Sequence, residues 1–211
     1  MEQFSSFLAG NPMLTAAWVG IFIAIIVTTI RIKMSPIKQL SPQDLTFAVN
    51  REDGVVLDMR HKEKGGLITI EDMKAALTKI NYTLKARDIV LIQTDTDKMW
   101  GKADYFNSGA GVSGPATRWL IDQGIKVMGI DTWGWDQPFW AQKERFKATG
   151  DKSVIWEAHR VGRDKEYCQI EKLANLDLLP RPFGFKVSCF PVKVKGGSAG
   201  WTRVVAMFED L

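Results

Sequence analysis

His159 and Glu171 lie twelve residues apart in a chain with only two histidines. Imidazole and carboxylate together suit a zinc or manganese ion, and the same spacing equally fits a structural histidine beside a surface glutamate. A second group is Asp131-Thr132-Trp133-Gly134-Trp135-Asp136. It follows a segment that reads as a parallel strand, and α/β folds bind ligands past such strand ends. Asp131 there either orients a ligand or closes a turn through local hydrogen bonds. Trp100, Trp133, Trp135, Trp140 and Trp156 all fall in or near expected loops. Loop indoles can line a pocket for a flat aromatic ligand, or cover a core, or form a dimer surface.

Other chemistry finds little support. Cys168 has no base nearby except His159. Cys168 and Cys189 sit in apolar settings and read as buried free thiols in a reducing compartment. His61 follows Asp58–Arg60 in a charged loop and is expected in solvent. Gly109-Ala110-Gly111 lacks the lysine of a phosphate loop, and no nucleophile-elbow run occurs. The 211 residues are 45% hydrophobic and 25% charged, with a net charge of +4. Those are globular values. The basic residues are interleaved with acidic ones and form no stripe, so nucleic acid is not an expected partner.

The elements that must position these groups can be read along the chain. Met13–Ile30 contains no charged side chain. At 1.5 Å per residue it is about 27 Å long, close to the hydrocarbon thickness of a bilayer. Trp18 suits one interface. Arg31, Lys33 and Lys38 follow the span and only Glu2 precedes it, which places the N-terminus outside and the remainder in the cytoplasm. The expectation is a single-pass protein of the inner (cytoplasmic) membrane. The n-region lacks the basic residue of a signal peptide, and the apolar stretch is too long for one.

Downstream, 42–50 reads as a short helix opened by Ser41 and Pro42. Val55–Asp58 reads as a buried strand. Residues 69–80 form a helix with a capping box at Thr69 and Asp72 and an inward face of Met73, Ala76, Leu77 and Ile80. Asp88–Thr94 is a buried strand. Ser113 and Pro115 open a helix that Gly124 closes, with Ala116, Trp119 and Leu120 inward. Ile125–Asp131 is the next strand, parallel to the previous one. A short polar helix follows around Ala141–Lys147. Phe185–Lys195 and Trp201–Phe208 form an antiparallel hairpin. The fold class is α/β.

From about Val55 onward the chain resembles the cyclase family of metal-dependent hydrolases, which includes kynurenine formamidase-like and isatin hydrolase-like enzymes. The runs that carry the likeness are DIVLIQT, GPATRWLIDQGIKVMGID, EYCQIEKLANLDLLP and FPVKVKGGSAGWTRVVA. The resemblance implies a partial swivelling β/β/α domain preceded by the transmembrane helix. It implies bound Zn²⁺ or Mn²⁺ and water-driven hydrolysis of an amide or lactam, such as an N-formyl arylamine. His159 and Glu171 match the family's late pair of metal ligands. Asp131 and the nearby Trp133 and Trp135 match the loop lining its substrate pocket, and Trp100 joins them as a pocket candidate from its expected loop position. The family's principal motif, H-x-G-T-H-x-D-x-P, has no counterpart in this sequence, so no catalytic residue is assigned.

The N-terminal 60 residues resemble something different, a single-pass bacterial rhodanese-like protein, through NPMLTAAWVGIFIAIIVTTI and LSPQDLTFAVNREDGVVLDMR. The rhodanese Cys-Arg-x-Gly loop does not follow. The expected organisation is therefore an anchor at 1–33, a juxtamembrane linker and rhodanese-like helix at 34–54, and a partial cyclase domain at 55–211, joined as a fusion near Gly54–Arg60. Three functions follow: an impaired hydrolase of a small aromatic amide, in which a partner chain or homo-oligomer completes the metal site; a membrane-tethered binding module; or a fusion without selected function.

Overall fold

The computed structural model describes residues 2–34 and 53–209. The chain divides into two units, Met1–Leu45 and Thr46–Leu211. The expected helix at 42–50 lies outside the described residues.

The first unit holds helices α1 (Glu2–Gly10) and α2 (Pro12–Met34). Within α2, Pro12–Arg31 is long and apolar enough to cross a membrane, and none of it is buried. A helix apolar on every face needs either a protein core or lipid around it. Two of its threonine hydroxyls are satisfied within the helix. Thr28 Oγ1 donates to the Ala24 carbonyl at 2.8 Å and Thr29 Oγ1 to that of Ile25 at 2.7 Å. Such back-bonding leaves neither of these hydroxyls to hydrate.

The second unit is a mixed α/β layer structure. Its main sheet has six strands: β1 (Asp53–Asp58), β3 (Ile89–Gln93), β5 (Val127–Ile130), β6 (Cys168–Ile170), β7 (Phe183–Cys189) and β8 (Val204–Met207), in the order β6-β5-β3-β1-β7-β8. The four strands from β6 to β1 are parallel, and β7 and β8 add antiparallel pairs. A small parallel pair, β2 (Leu67–Ile68) and β4 (Gly111–Val112), stands apart.

The continuous apolar runs of β1 and β3 follow from burial on both faces. Val55, Leu57, Val90, Ile92, Met128 and Ile130 point into one core. It is covered by α3 (Ile70–Lys79) and α5 (Gly114–Asp122), which contribute Met73, Ala76, Leu77, Ala116 and Leu120. Val56, Ile89 and Leu91 point the other way, onto Leu173, Leu176, Phe185 and Val187. Alternation with period two assigns each side chain to its face.

The helix starts agree with their caps. Thr69 and Asp72 make a reciprocal capping box on α3, and Ser113 Oγ accepts from the Ala116 amide at the start of α5. The polar helix expected at 141–147 is longer, α6 (Phe139–Thr149). The hairpin forms over shorter strands than expected, with β7 stopping at Cys189 and β8 spanning Val204–Met207, although the Val192 amide still donates to the Trp201 carbonyl at 2.9 Å. Two further elements are α4 (Tyr105–Ser108) and α7 (Glu157–Val161). Neither α7 nor β6 was foreseen, since each is shorter than the window in which a hydrophobic period shows. The buried-thiol expectation is corrected: Cys168 is exposed on edge strand β6 and Cys189 is half-buried. His61 is exposed, with Nε2 3.7 Å from Asp72.

Candidate metal and substrate site

A cavity of about 130 Å³ opens beyond the C-terminal ends of β5 and β6. The segment after β5 supplies one wall, through Thr132, Trp133, Asp136 and Gln137; Phe106, Phe139 and Trp156 close the others, and His159 and Glu171 also line it. Its rim is a chain of rings. Phe106 meets Trp133 edge-on at 4.6 Å, Phe139 lies 5.8 Å from Trp156, and Trp156 lies 4.4 Å from the His159 imidazole. The Lys172 ammonium sits 4.7 Å from the Trp133 ring centre, where a cation steadies an indole. A concave, mostly apolar space with a few converging polar groups is the usual form of a small-molecule site.

The polar end of the cavity is built on one carboxylate. Asp136 accepts from the amides of Ala158 (2.8 Å) and His159 (3.1 Å), and so holds the first turn of α7. Its Oδ2 also lies 2.5 Å from His159 Nδ1. A carboxylate can only accept there, so Nδ1 carries a proton, and in the neutral imidazole Nε2, on the side of Glu171, has the lone pair. This is the outer-shell arrangement that orients metal-binding histidines. His159 Nε2 and Glu171 Oε1 are 3.6 Å apart. Two atoms each about 2.1 Å from one tetrahedral ion are about 3.4 Å apart, so this pair fits a zinc-like or manganese-like ion as two of its donors. Glu171 Oε1 is itself held by the Trp135 amide at 3.0 Å.

Between the two donors lies Gln169. Its Nε2 is 2.6 Å from His159 Nε2 and 2.9 Å from Glu171 Oε1, while its Oε1 meets the Tyr167 hydroxyl at 2.8 Å. Reading the sequence for metal ligands missed this residue. A signal was present: Tyr167, Gln169 and Glu171 recur every second residue, which puts them on one face of β6 and its continuation. Phe106, Phe139 and Asp136 were missed as wall and support, because nothing local joins them to His159.

The expected pocket residues separate. Trp133 lines the cavity. Trp135 does not; it is wholly buried in the core, and its Nε1–H donates to Thr117 Oγ1 at 2.9 Å. Two residues on from Trp133, the chain has turned inward. Trp100 is 68% exposed and packs edge-on to Tyr105, away from the cavity lining. Trp140 is half-exposed and donates its Nε1–H to the Asn107 carbonyl. Asp131 is buried just past the end of β5, and its carboxylate points to the chain leaving the neighbouring strand β3. It accepts from the amides of Thr94 (2.8 Å) and Asp95 (2.7 Å) and from the Thr94 hydroxyl (2.5 Å).

Asp131 also forms an acidic group with Asp95 and Asp97, whose oxygens lie within 4.8 Å of one another and could hold a metal ion. Burial pushes the Asp131 carboxyl up to about 6 from 3.8, against the opposing hydrogen bonds from Thr94 and Asp95. The native state therefore holds this proton to higher pH than the unfolded chain does. The sign follows: between about pH 4 and pH 6 the native state binds more protons, so this group's contribution to stability falls as pH rises through that window. The change is of order 2–3 kcal/mol. A carbon NMR titration of the Asp131 carboxyl is expected to show a midpoint near 6. A midpoint below 4 would mean that the hydrogen bonds outweigh burial.

Residues 34–137 match the family model described as putative cyclase. Among curated proteins, the uncharacterized protein YibN of Escherichia coli (strain K12) is 32% identical over 63 residues, covering 30% of this chain and 44% of that protein. Among solved structures, an isatin hydrolase bound to the product analogue thioisatinate superposes with a TM-score of 0.62 at 23% identity, covering 78% of this chain and 62% of that one. Isatin hydrolase A from Labrenzia aggregata, bound to benzyl benzoate, gives 0.61 at 25% identity, covering 79% and 64%. A potential metal-dependent hydrolase with cyclase activity gives 0.56 at 19% identity, covering 82% and 72%. The chain thus spans less than half of YibN and less than two thirds of these two isatin hydrolases. The match to the putative cyclase model spans just under half of the chain, and the α/β fold is shared with isatin hydrolases and with a structure described as a potential metal-dependent hydrolase.

Proposed function

We propose that the second unit is a metal-dependent hydrolase site for small aromatic amides or lactams, tethered to a membrane by Pro12–Arg31. The observation that carries this reading is the His159–Glu171 pair, 3.6 Å apart, on the wall of a ring-lined cavity. The rings of Trp133, Phe139 and Trp156 give the cavity an apolar lining that suits an aromatic substrate. Asp136 keeps the His159 Nε2 lone pair turned toward Glu171. His159 and Glu171 would hold a divalent ion, which when bound would supply Lewis-acid chemistry toward a carbonyl and water. Zn²⁺ and Mn²⁺ both suit this N/O donor set.

The sequence contains no H-x-G-T-H-x-D run, and a catalytic zinc site ordinarily takes three protein ligands. Hydrolysis is therefore expected to be weak unless a further donor is supplied, by a second copy of the chain or by this one. A second reading, a non-catalytic binding module, is favoured by the Gln169 amide lying across the donor pair. The rhodanese-like character of the anchor and linker, and the orientation with N-terminus outside the inner membrane, rest on the resemblance and on the basic residues after the span.

The test uses the purified full chain in detergent, assayed for bound manganese and for hydrolysis of an aromatic formamide and of a lactam. His159→Ala is expected to weaken Mn²⁺ binding by about 100-fold and to abolish any turnover. Fewer than about 0.1 ions per chain after loading with Mn²⁺ would end the metal reading. Ligand binding without turnover, unaffected by His159→Ala, would leave the binding module.

A further inference from the structure

We infer that Gln169 is a turnable third donor: its side-chain amide closes the His159–Glu171 pair in one orientation and completes an ion site in the other. The inference rests on the reading of that pair as metal-binding and goes beyond it. In the orientation described above, the amide nitrogen donates both of its hydrogens, to His159 Nε2 and Glu171 Oε1, and the amide oxygen accepts from Tyr167. All of these groups are satisfied without an ion. Turning the amide by half a revolution about its last side-chain bond exchanges oxygen for nitrogen. Three lone-pair atoms then converge: His159 Nε2, Glu171 Oε1 and Gln169 Oε1. Without a cation their mutual repulsion disfavours this state; with one they are an N/O/O set of three protein donors.

Tyr167 makes the exchange possible. Its hydroxyl lies 2.8 Å from Gln169 Oε1 and 3.0 Å from the Ala158 carbonyl oxygen. A hydroxyl both donates and accepts. In the closed state it donates to the amide oxygen. In the turned state it donates to the Ala158 carbonyl and accepts from the amide nitrogen. No hydrogen bond to the tyrosine is lost by the turn. The gaps from Gln169 to the two donors, 2.6 and 2.9 Å, need to widen by about 0.5–0.8 Å to reach the spacing around a tetrahedral ion. The same side chain thus explains how a site lacking the family's upstream motif could still offer three donors from one chain.

The experiment is a Mn²⁺ titration of the full chain in detergent, followed by loss of the free-ion signal in electron paramagnetic resonance, with circular dichroism to check folding. Gln169→Ala is expected to bind about 10-fold or more weakly than wild type. Gln169→Glu presents an oxygen in either orientation and is expected to bind at least as tightly as wild type. Affinity for Gln169→Ala equal to or above wild type would overturn the inference, since the amide would then be neutral or a plug. Gln169→Glu binding more weakly than Gln169→Ala would do the same. His159→Ala separates the two levels. If it abolishes binding while Gln169→Ala does not change it, only the role of Gln169 falls. If wild type does not bind, or His159→Ala binds like wild type, the underlying site falls as well.

Discussion

Trp135→Ala is expected to lower the stability of the α/β unit by about 3–5 kcal/mol, the range found when a buried aromatic is cut to a methyl group. The indole is fully buried, and its ring nitrogen has one partner, Thr117 Oγ1, itself buried on α5. Truncation removes the ring's contacts and leaves a cavity between α5 and the chain after β5. Urea unfolding should show a lower midpoint with little change in slope. Trp133→Ala is the matched control. That ring is 39% exposed on the cavity rim, so its loss should cost under about 1 kcal/mol while weakening binding of a flat aromatic ligand. If Trp135→Ala were to leave the midpoint unchanged, the buried placement of this indole would be wrong.

Gly111→Ala should act on the fold and the site together. A β-carbon at Gly111 would stand 1.9 Å from the Gln137 nitrogen and 2.2 Å from the Asp136 carbonyl carbon. Those are backbone atoms, which cannot rotate away as a side-chain tip can. Here β4 lies against the chain after β5, joined by the Val112 amide donating to the Trp135 carbonyl at 2.8 Å. One methyl group must push that strip off. Overpacking of this kind costs about 1–3 kcal/mol and occasionally more. A loss of about 3 kcal/mol would lower the melting temperature by about 6–12 °C for a unit of this size. The displaced residue, Asp136, also holds His159 Nδ1. Mn²⁺ affinity in the surviving folded protein should therefore fall with stability. A Gly111→Ala variant melting within about 2 °C of wild type would refute the close approach.

These two substitutions mark where local and long-range information part. The sequence by itself determined the parts governed by neighbours within one or two turns. The capping box at Thr69 and Asp72 and the Ser113 cap are set by a spacing of three residues, and the buried runs Val55–Leu57 and Ile89–Ile92 and the charge-free Met13–Ile30 by contiguous composition. The likeness to the cyclase family picked out His159 and Glu171, and the structure brings them to one cavity wall.

The tertiary structure alone decided which indole faces a ligand and which fills the core. Trp133 and Trp135 occupy one loop with the same composition around them, and only packing against α5 separates them. It also decided that Asp136 holds His159, 23 residues further along the chain, that Glu171 meets the Trp135 amide across 36 residues, and that Gln169 lies between the two donors. The thiol of Cys168 is exposed for a related reason: its strand is the sheet edge, and edge position is a property of strand order. Short-range periodicity says which face of an element is apolar. It does not say which distant element will arrive there, because that depends on the order in which strands join the sheet.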